Sequence, residues 1–106
     1  MATIFILGYE FDGPIPLSQA PDRLQTTQAA YVVAQQDSSG KVTYLDVDYA
    51  DPVGAELANH PRQSCWEAQA AGARLVVYVS TAYSEGTHRQ AEMTIRADGN
   101  LPCTPP

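Results

Sequence analysis

The pattern of apolar and polar residues predicts one mainly antiparallel sheet built from three strands. Residues 29–36 (AAYVVAQQ) and 41–49 (KVTYLDVDY) flank the turn sequence DSSG, so we expect them to form a hairpin. Alternation along the second strand places Asp46 and Asp48 on one face, together with Val42 and Tyr44. Residues 73–81 (ARLVVYVST) have an almost continuous apolar centre, which is typical of a strand buried on both faces.

About three helices are predicted to flank this sheet. Asp51 is a plausible N-cap and Pro52 a plausible first residue for a helix over 51–60. The segment RQSCWEAQAAG (62–72) predicts a second helix that stops at its glycine, and residues 87–97 predict a third. The order of these elements indicates an α+β fold.

The N-terminal quarter of the chain is predicted to carry one strand and one loop. Residues 2–8 (ATIFILG) form a short apolar run that is typical of a strand. Residues 9–23 (YEFDGPIPLSQAPDR) contain three prolines, which lack the donor that a sheet needs, so a surface loop is expected. We therefore expect one small domain over 1–106, with this strand and Pro-rich loop in 1–28 and the core in 29–103.

Charge composition argues against a general nucleic-acid-binding role. Twelve acidic residues against six basic ones give a formal net charge of −6, and the basic residues are scattered along the sequence. Affinity for nucleic acid rests mainly on Lys and Arg contacts with phosphates. A protein partner is more compatible with this acidic composition.

Cellular location and cysteine chemistry are predicted from what the sequence lacks. No apolar run is long enough to span a bilayer, and the first residues lack the basic segment of a signal peptide. We therefore expect no membrane partner and a cytoplasmic location. Cys65 and Cys103 form no CxxC pair, so in that reducing compartment they are expected to be free, buried thiols.

Six segments in chain order resemble the GIY-YIG nuclease superfamily, and more narrowly a group of small bacterial GIY-YIG-like proteins. They are GYEFDGPIPL (8–17), AAYVV (29–33), LDVDYA (45–50), ANHPRQSCW (58–66), RQAEMTIR (89–96) and LPC (101–103). The resemblance implies a GIY-YIG-like sheet flanked by helices. Members that cut nucleic acid use a divalent cation, two tyrosines, a glycine, an arginine that faces the phosphate and a metal-binding glutamate.

Three residues match the superfamily's functional positions. The resemblance assigns Tyr31 to the first catalytic tyrosine, His60 to a histidine at the end of the first helix, and Glu92 to the metal-binding glutamate. Each also has a structural interpretation: Tyr31 as a core or cross-strand residue, His60 as a helix C-terminal residue, and Glu92 as a partner of Arg96 one turn later. Trp66 is interpreted as the core anchor of its helix.

Four other positions depart from the superfamily's pattern. Ala29 and Asp48 stand where the resemblance places glycines, Asp46 where it places the second tyrosine, and Glu56 where it places the arginine. Phosphodiester cleavage builds negative charge on the phosphate, which the site must meet with positive charge. Glu56 puts an anion there instead, so the resemblance predicts a degenerate and inactive site.

Three functions remain open at this point. The first is a non-catalytic binding or regulatory module with a protein partner and no cofactor. The second is a divergent metal-dependent endonuclease that uses Tyr31, His60 and Glu92 with Mg²⁺. The third is a cation-binding or small-ligand-binding protein in which Asp46, Asp48, Glu56 and Glu92 converge, since hard cations take oxygen ligands.

Overall fold

Five strands form one antiparallel sheet in the computed structural model, which describes residues 2–82 and 84–105. The strands are β1 (Ala2–Ile6), β2 (Tyr9–Pro16), β3 (Ala29–Gln36), β4 (Val42–Ala50) and β5 (Arg74–Ser80). Their order across the sheet is β1-β2-β5-β3-β4, and every neighbouring pair is antiparallel. The three predicted strands are confirmed as β3, β4 and β5.

The predicted number of strands in the sheet is wrong for two reasons. The strand predicted over 2–8 is present, but it joins the sheet as β1, and Tyr9–Pro16 is a strand and not a loop. Its buried residues alternate with more exposed ones, and Phe11 and Ile15 are almost fully buried. The ladder between β2 and β5 shifts register between Asp12 and Ile15, around Pro14. Such irregularities accommodate a proline within a sheet, so proline content alone predicted the wrong structure here.

Four α-helices accompany the sheet in the described part of the chain, against about three that were predicted. They are α1 (Ala20–Arg23), α2 (Val53–Ala58), α3 (Gln63–Ala70) and α4 (Glu85–Ala97), and a 3-10 turn at Leu17–Gln19 precedes α1. The unpredicted α1 lies in the segment expected to be a loop. The three predicted helices are present, and the α+β class of this small single domain is confirmed.

The start of α2 differs from the prediction. Pro52 is its N-cap, in extended backbone with φ −88° and ψ 156°, and no side chain caps the helix. Asp51 is therefore not the cap. Instead, the N–H groups of Val53 and Gly54 donate to backbone carbonyls in the segment at the end of α1, at 2.8 and 2.9 Å. This contact holds α2 against α1.

The sheet has an apolar cluster on each face. Helices α1, α2 and α3 cover one face, where Tyr31, Val33 and Trp66 are buried. Helix α4 covers the other face, over Val32 and Val47. The site described below lies on the face that α2 and α3 cover.

A register shift in the β3–β4 ladder decides which residues of β4 reach that face. The shift falls between Val33, opposite Asp46, and Ala34, opposite Tyr44. Leu45 therefore joins the cluster under α2 and α3, next to Asp46, whereas Tyr44 packs on the α4 side. Strict alternation, which placed Tyr44 on the same face as Asp46, is wrong at this shift.

The cysteine prediction is also wrong, because Cys65 and Cys103 form a disulfide. Cys65 lies in α3, and Cys103 lies in a C-terminal segment that runs along β4, where its N–H donates to the Leu45 carbonyl at 2.9 Å. The Cα atoms of the two cysteines lie 5.8 Å apart, although the residues are 38 positions apart in the sequence. Within residues 2–82 and 84–105, no helix is long and apolar enough to cross a membrane.

Candidate functional site

Strands β3 and β4 bring together three of the residues singled out in the sequence. Tyr31 pairs with Asp48 across the ladder, and Val33 pairs with Asp46. Side chains directly opposite each other in an antiparallel pair lie on the same face. Tyr31, Asp46 and Asp48 therefore share the face under α2 and α3.

Helix α2 and the turn after it add Glu56 and His60 to this face. The Tyr31 and His60 rings stand edge to face with centroids 6.3 Å apart, and the His60 and Trp66 rings are 4.5 Å apart. The Nε2 atom of His60 lies 3.9 Å from Asp48 Oδ2 and 4.0 Å from Glu56 Oε2. Five of the predicted positions are thus in one cluster, and Trp66 is a core residue as predicted.

Asp46 is fully buried and accepts hydrogen bonds at both carboxylate oxygens. Its Oδ2 accepts from Arg62 Nε at 2.7 Å and from Trp66 Nε1 at 2.7 Å. Its Oδ1 accepts from Arg62 Nη2 at 3.2 Å and from Thr104 Oγ1 at 2.6 Å. A buried carboxylate is tolerated when it is paired and hydrogen-bonded in this way, so Asp46 joins β4, α3 and the C-terminal segment.

Arg62 is the main cation of the site, and its Nε and Nη2 atoms donate to acids. Its Nη2 donates to Asp48 Oδ2 at 3.0 Å in addition to its two contacts with Asp46. Burial alone would lower the pKa of Arg62, but the hydrogen bonds to Asp46 and Asp48 outweigh burial and raise it. This guanidinium therefore neutralises carboxylates of the chain itself.

Tyr31 is a hydrogen-bond donor to Glu56. The phenol O–H donates to Glu56 Oε2 from a fully buried position on β3. The pKa of Tyr31 is raised far above its usual value. Burial is the largest cause, and the hydrogen bond to Glu56 is the second. The phenol consequently stays protonated at pH 7.

The hydrogen bonds of His60 determine its protonation. Its Nδ1 accepts the backbone N–H of Arg62 at 3.0 Å. Burial, and next the charge of Arg62, lower the pKa of His60 below its usual value, so the ring is neutral at pH 7. A neutral imidazole carries one N–H, which here must be on Nε2. That N–H points towards the carboxylates of Asp48 and Glu56.

Asp48, Glu56 and His60 form the one set of potential metal ligands within residues 2–82 and 84–105, with one atom from each within 4.8 Å of the others. Every one of these atoms already has another partner. Asp48 Oδ2 accepts from Arg62, Glu56 Oε2 accepts from Tyr31, and His60 Nε2 carries a proton. A metal ligand must present a lone pair, so binding at His60 Nε2 requires the proton to move to Nδ1 and the hydrogen bond from the Arg62 N–H to break.

Glu92 lies apart from this cluster. It is on α4, which packs on the opposite face of the sheet, and its Oε1 accepts from Arg96 Nε at 2.7 Å. Arg96 Nη2 also lies 3.6 Å from Asp48 Oδ1, so this arginine links the two faces around the edge of β4. Ala29 is buried on β3 two residues before Tyr31. The four acids therefore do not converge on one pocket.

Two contributors to the site, Arg62 and Thr104, were missed in the sequence. Arg62 lies in the quoted segment ANHPRQSCW, two residues after His60 and four before Trp66. The basic residues are scattered along the sequence, and this scatter gave no indication that Arg62 pairs with Asp46 in the fold. Thr104 lies beyond the last recognised segment and carried no signal of its own.

Comparisons of the chain with protein-family models, with curated proteins and with solved structures find no match.

Proposed function

We propose that the chain is a non-catalytic domain of GIY-YIG-like type that acts as a binding or regulatory module for a protein partner. The observation that carries this proposal is that the charged groups of the site are hydrogen-bonded to other residues of the chain. Asp46 and Asp48 are bonded to Arg62, Glu56 is bonded to Tyr31, and Glu92 is bonded to Arg96. A site that must bind a phosphate needs cationic donors that are free to meet it.

The acid–base groups also argue against hydrolysis. A general base must be able to take a proton at a position that a water could reach. The proton on His60 Nε2 and the hydroxyl proton of Tyr31 occupy the atoms that would have to accept one. Tyr31 donates a hydrogen bond to Glu56, and the protonated Nε2 atom of His60 faces Asp48 at 3.9 Å, so neither residue offers a free base to a water.

The Mg²⁺ that the superfamily resemblance implies does not fit the arrangement of these residues. Mg²⁺ demands a near-octahedral set of oxygen ligands. The Oε1 atom of Glu92 accepts from a guanidinium, and a second guanidinium group contacts Asp48. A cation placed beside either carboxylate would face the positive charge of Arg96 or Arg62. We therefore propose that the domain works without a metal cofactor.

A protein partner fits the charge of the chain better than a nucleic acid does. The formal net charge is −6, and Arg62, Arg89 and Arg96 each form an ion pair with an acid of the same chain. Nucleic-acid affinity grows with the number of phosphates that lysine and arginine neutralise. A neutral or basic protein surface has no such requirement.

The proposal is tested by capture experiments with the intact, disulfide-bonded chain immobilised as bait. Lysate from the native host is applied before and after digestion with an added nuclease, and bound material is analysed for protein and for nucleic acid. We expect the same stoichiometric protein partner in both samples. Captured nucleic acid, or a protein that is lost after digestion, would contradict the proposal. A bait with Asp46→Ala, which opens the site, is the matched control. Proteins that this bait also captures are those that bind unfolded chains.

A further inference from the structure

The two edges of the sheet differ in how their backbone groups are covered. Along β4, the Val47 N–H donates to Thr104 Oγ1 at 3.0 Å, and the Cys103 N–H donates to the Leu45 carbonyl at 2.9 Å. Arg96 Nη2 lies 3.4 Å from the Val47 carbonyl and adds a third contact. The C-terminal segment and α4 thus occupy this edge.

The edge formed by β1 has no such cover. β1 pairs with β2 alone, from Ala2 opposite Gly13 to Ile6 opposite Tyr9. Within residues 2–82 and 84–105, no backbone hydrogen bond joins β1 to any other segment. An edge strand directs a row of N–H and C=O groups outwards, and these can pair with another strand.

The side chains of β1 do not protect this edge. Proteins commonly place charged residues or proline on an edge strand to prevent pairing. The strand ATIFI contains neither, Phe5 is 67% exposed, and Leu7 in the following turn is 52% exposed. In a chain of net charge −6, β1 is an uncharged strip, so two copies can meet there without direct contact between acids.

We propose that two copies of the chain associate through β1, edge to edge and antiparallel, so that one continuous sheet runs through the dimer. Two identical strands can pair antiparallel about a two-fold axis, so β1 can pair with β1 of a second copy. Most homodimers have this closed two-fold symmetry. The occupant of the β1 edge is therefore β1 of a second copy.

The apolar face of β1 supports this pairing. Ile4 and Ile6 lie on the α4 face of the sheet, in one cluster with Phe11. Ile6 is buried, whereas Ile4, on the same edge strand, is only partly buried. With the axis at Ile4, each Ile4 packs against Ile4 of the second copy, and Thr3 lies opposite Phe5 of the second copy. The cluster then continues across the axis.

A strand of five residues makes a small interface. Small interfaces are typical of weak and transient association. We expect a dissociation constant in the range from about 1 µM to about 1 mM, so that a monomer–dimer equilibrium is measurable.

The experiment measures mass by sedimentation equilibrium over that concentration range, with chain that has no N-terminal tag. We expect the average mass to rise from the monomer value of 11.4 kDa towards twice that value. The variant Thr3→Lys with Phe5→Lys places lysines opposite each other across the proposed axis. Both side chains are exposed, and within one copy they face Asp12 and Glu10, so the monomer remains folded. We expect this variant to keep the monomer mass.

Two further samples make the outcome specific to β1. Met93→Lys with Ser64→Lys adds the same charge at exposed sites on α4 and α3, and we expect it to dimerise like the parent. A mixture of the Lys variant with Thr3→Glu and Phe5→Glu copies should recover the dimer mass. A parent that stays monomeric at about 1 mM, or a dimer that persists in the Lys variant, would overturn the proposal.

Discussion

Asp46 and Arg62 form a two-contact ion pair beneath α3, with nitrogen–oxygen distances of 2.7 and 3.2 Å. The carboxylate is fully buried, and the side chain of Arg62 is 22% exposed. Buried pairs of this kind constrain the fold, because removal of one partner leaves an uncompensated charge. In the GIY-YIG resemblance Asp46 takes the place of a catalytic tyrosine, and here it holds three parts of the chain together.

We predict that Asp46→Ala strongly destabilises the protein. The substitution leaves Arg62, Trp66 and Thr104 without their shared acceptor, so we expect the free energy of unfolding to fall by about 3–5 kcal/mol. Urea denaturation followed by tryptophan fluorescence measures this change, since Trp66 is the one tryptophan of the chain. Asp48→Ala is the matched control on the same strand.

Asp48 is partly exposed, with 27% of its side-chain surface accessible, and it shares Arg62 with Asp46. Because exposed ion pairs contribute little, we expect Asp48→Ala to cost roughly 1 kcal/mol or less. Equal losses in the two variants would mean that Asp46 has no special structural role.

We predict that His60 makes the stability depend on pH on the acid side of neutrality. The pKa of this histidine is lowered in the folded state, mainly by burial and secondly by the charge of Arg62. The folded protein then binds fewer protons than the unfolded chain as pH falls. The contribution of His60 to stability is therefore complete above the unfolded pKa of about 6.5 and is lost as pH falls below that value.

Chemical denaturation from about pH 7.5 to about pH 5.5 measures this effect. We expect the free energy of unfolding to fall less steeply in His60→Gln than in the parent. Burial also lowers the pKa of His88, the second histidine. A hydrogen bond to the Ala82 carbonyl offsets part of this shift. His88→Gln should remove a separate part of the slope. An unchanged slope in His60→Gln would show that Asp48 and Glu56 stabilise the protonated ring enough to cancel burial.

We predict that the disulfide is present in protein isolated under oxidising conditions. Titration of thiols in denaturant, without reductant, should find none, and with reductant it should find two per chain, since Cys65 and Cys103 are the only cysteines. Two thiols in both titrations would contradict the pairing. Disulfides persist in oxidising compartments and are rare in the cytoplasm, so the cytoplasmic location stays a prediction.

Loss of the disulfide should also loosen the C-terminal segment. Replacement of Cys65 and Cys103 by serine should lower the free energy of unfolding by about 2–4 kcal/mol. Amide hydrogen exchange should rise at Val47, whose N–H is bonded to Thr104. Val32, in the centre of the sheet, serves as the internal reference.

The central sheet was predictable because its strands carry strong local signals. Residues 29–36 were predicted with the bounds that the structure gives to β3. β2 was missed because Pro14 lies at a register shift, and this shift depends on the partner strand β5 and not on the local sequence pattern. The disulfide was missed for a similar reason, since it depends on the path of the C-terminal segment along β4.

Five members of the site were predictable, but its chemistry was not. The resemblance brought Tyr31, Asp46, Asp48, Glu56 and His60 into one neighbourhood, and the fold places them together. It did not identify Arg62 as their common cation. Pairing between side chains that are 16 residues apart, as in Arg62 and Asp46, is set by the packing of α3 on β4 and not by spacing.

We predict that phosphate affinity appears when the superfamily's residue types are put back. Asp48→Gly with Glu56→Arg removes two acids near Arg62 and adds a second guanidinium, so we expect inorganic phosphate to bind measurably in calorimetry. The matched control Asp98→Gly with Glu67→Arg makes the same change in net charge at exposed positions. Equal affinities in the two variants would mean that net charge alone, and not the site, binds the anion.

The most direct measurement of the central claim is a cleavage assay with the parent chain. Purified protein is incubated with plasmid DNA and with single-stranded and double-stranded oligonucleotides, in Mg²⁺ and in Mn²⁺, beside Glu92→Ala and Tyr31→Phe. Because Tyr31, His60, Arg62 and Glu92 are all engaged within the chain, we predict no cleavage above the level of the two variants. Metal-dependent cleavage by the parent that disappears in Glu92→Ala would contradict the account and identify the chain as an active nuclease.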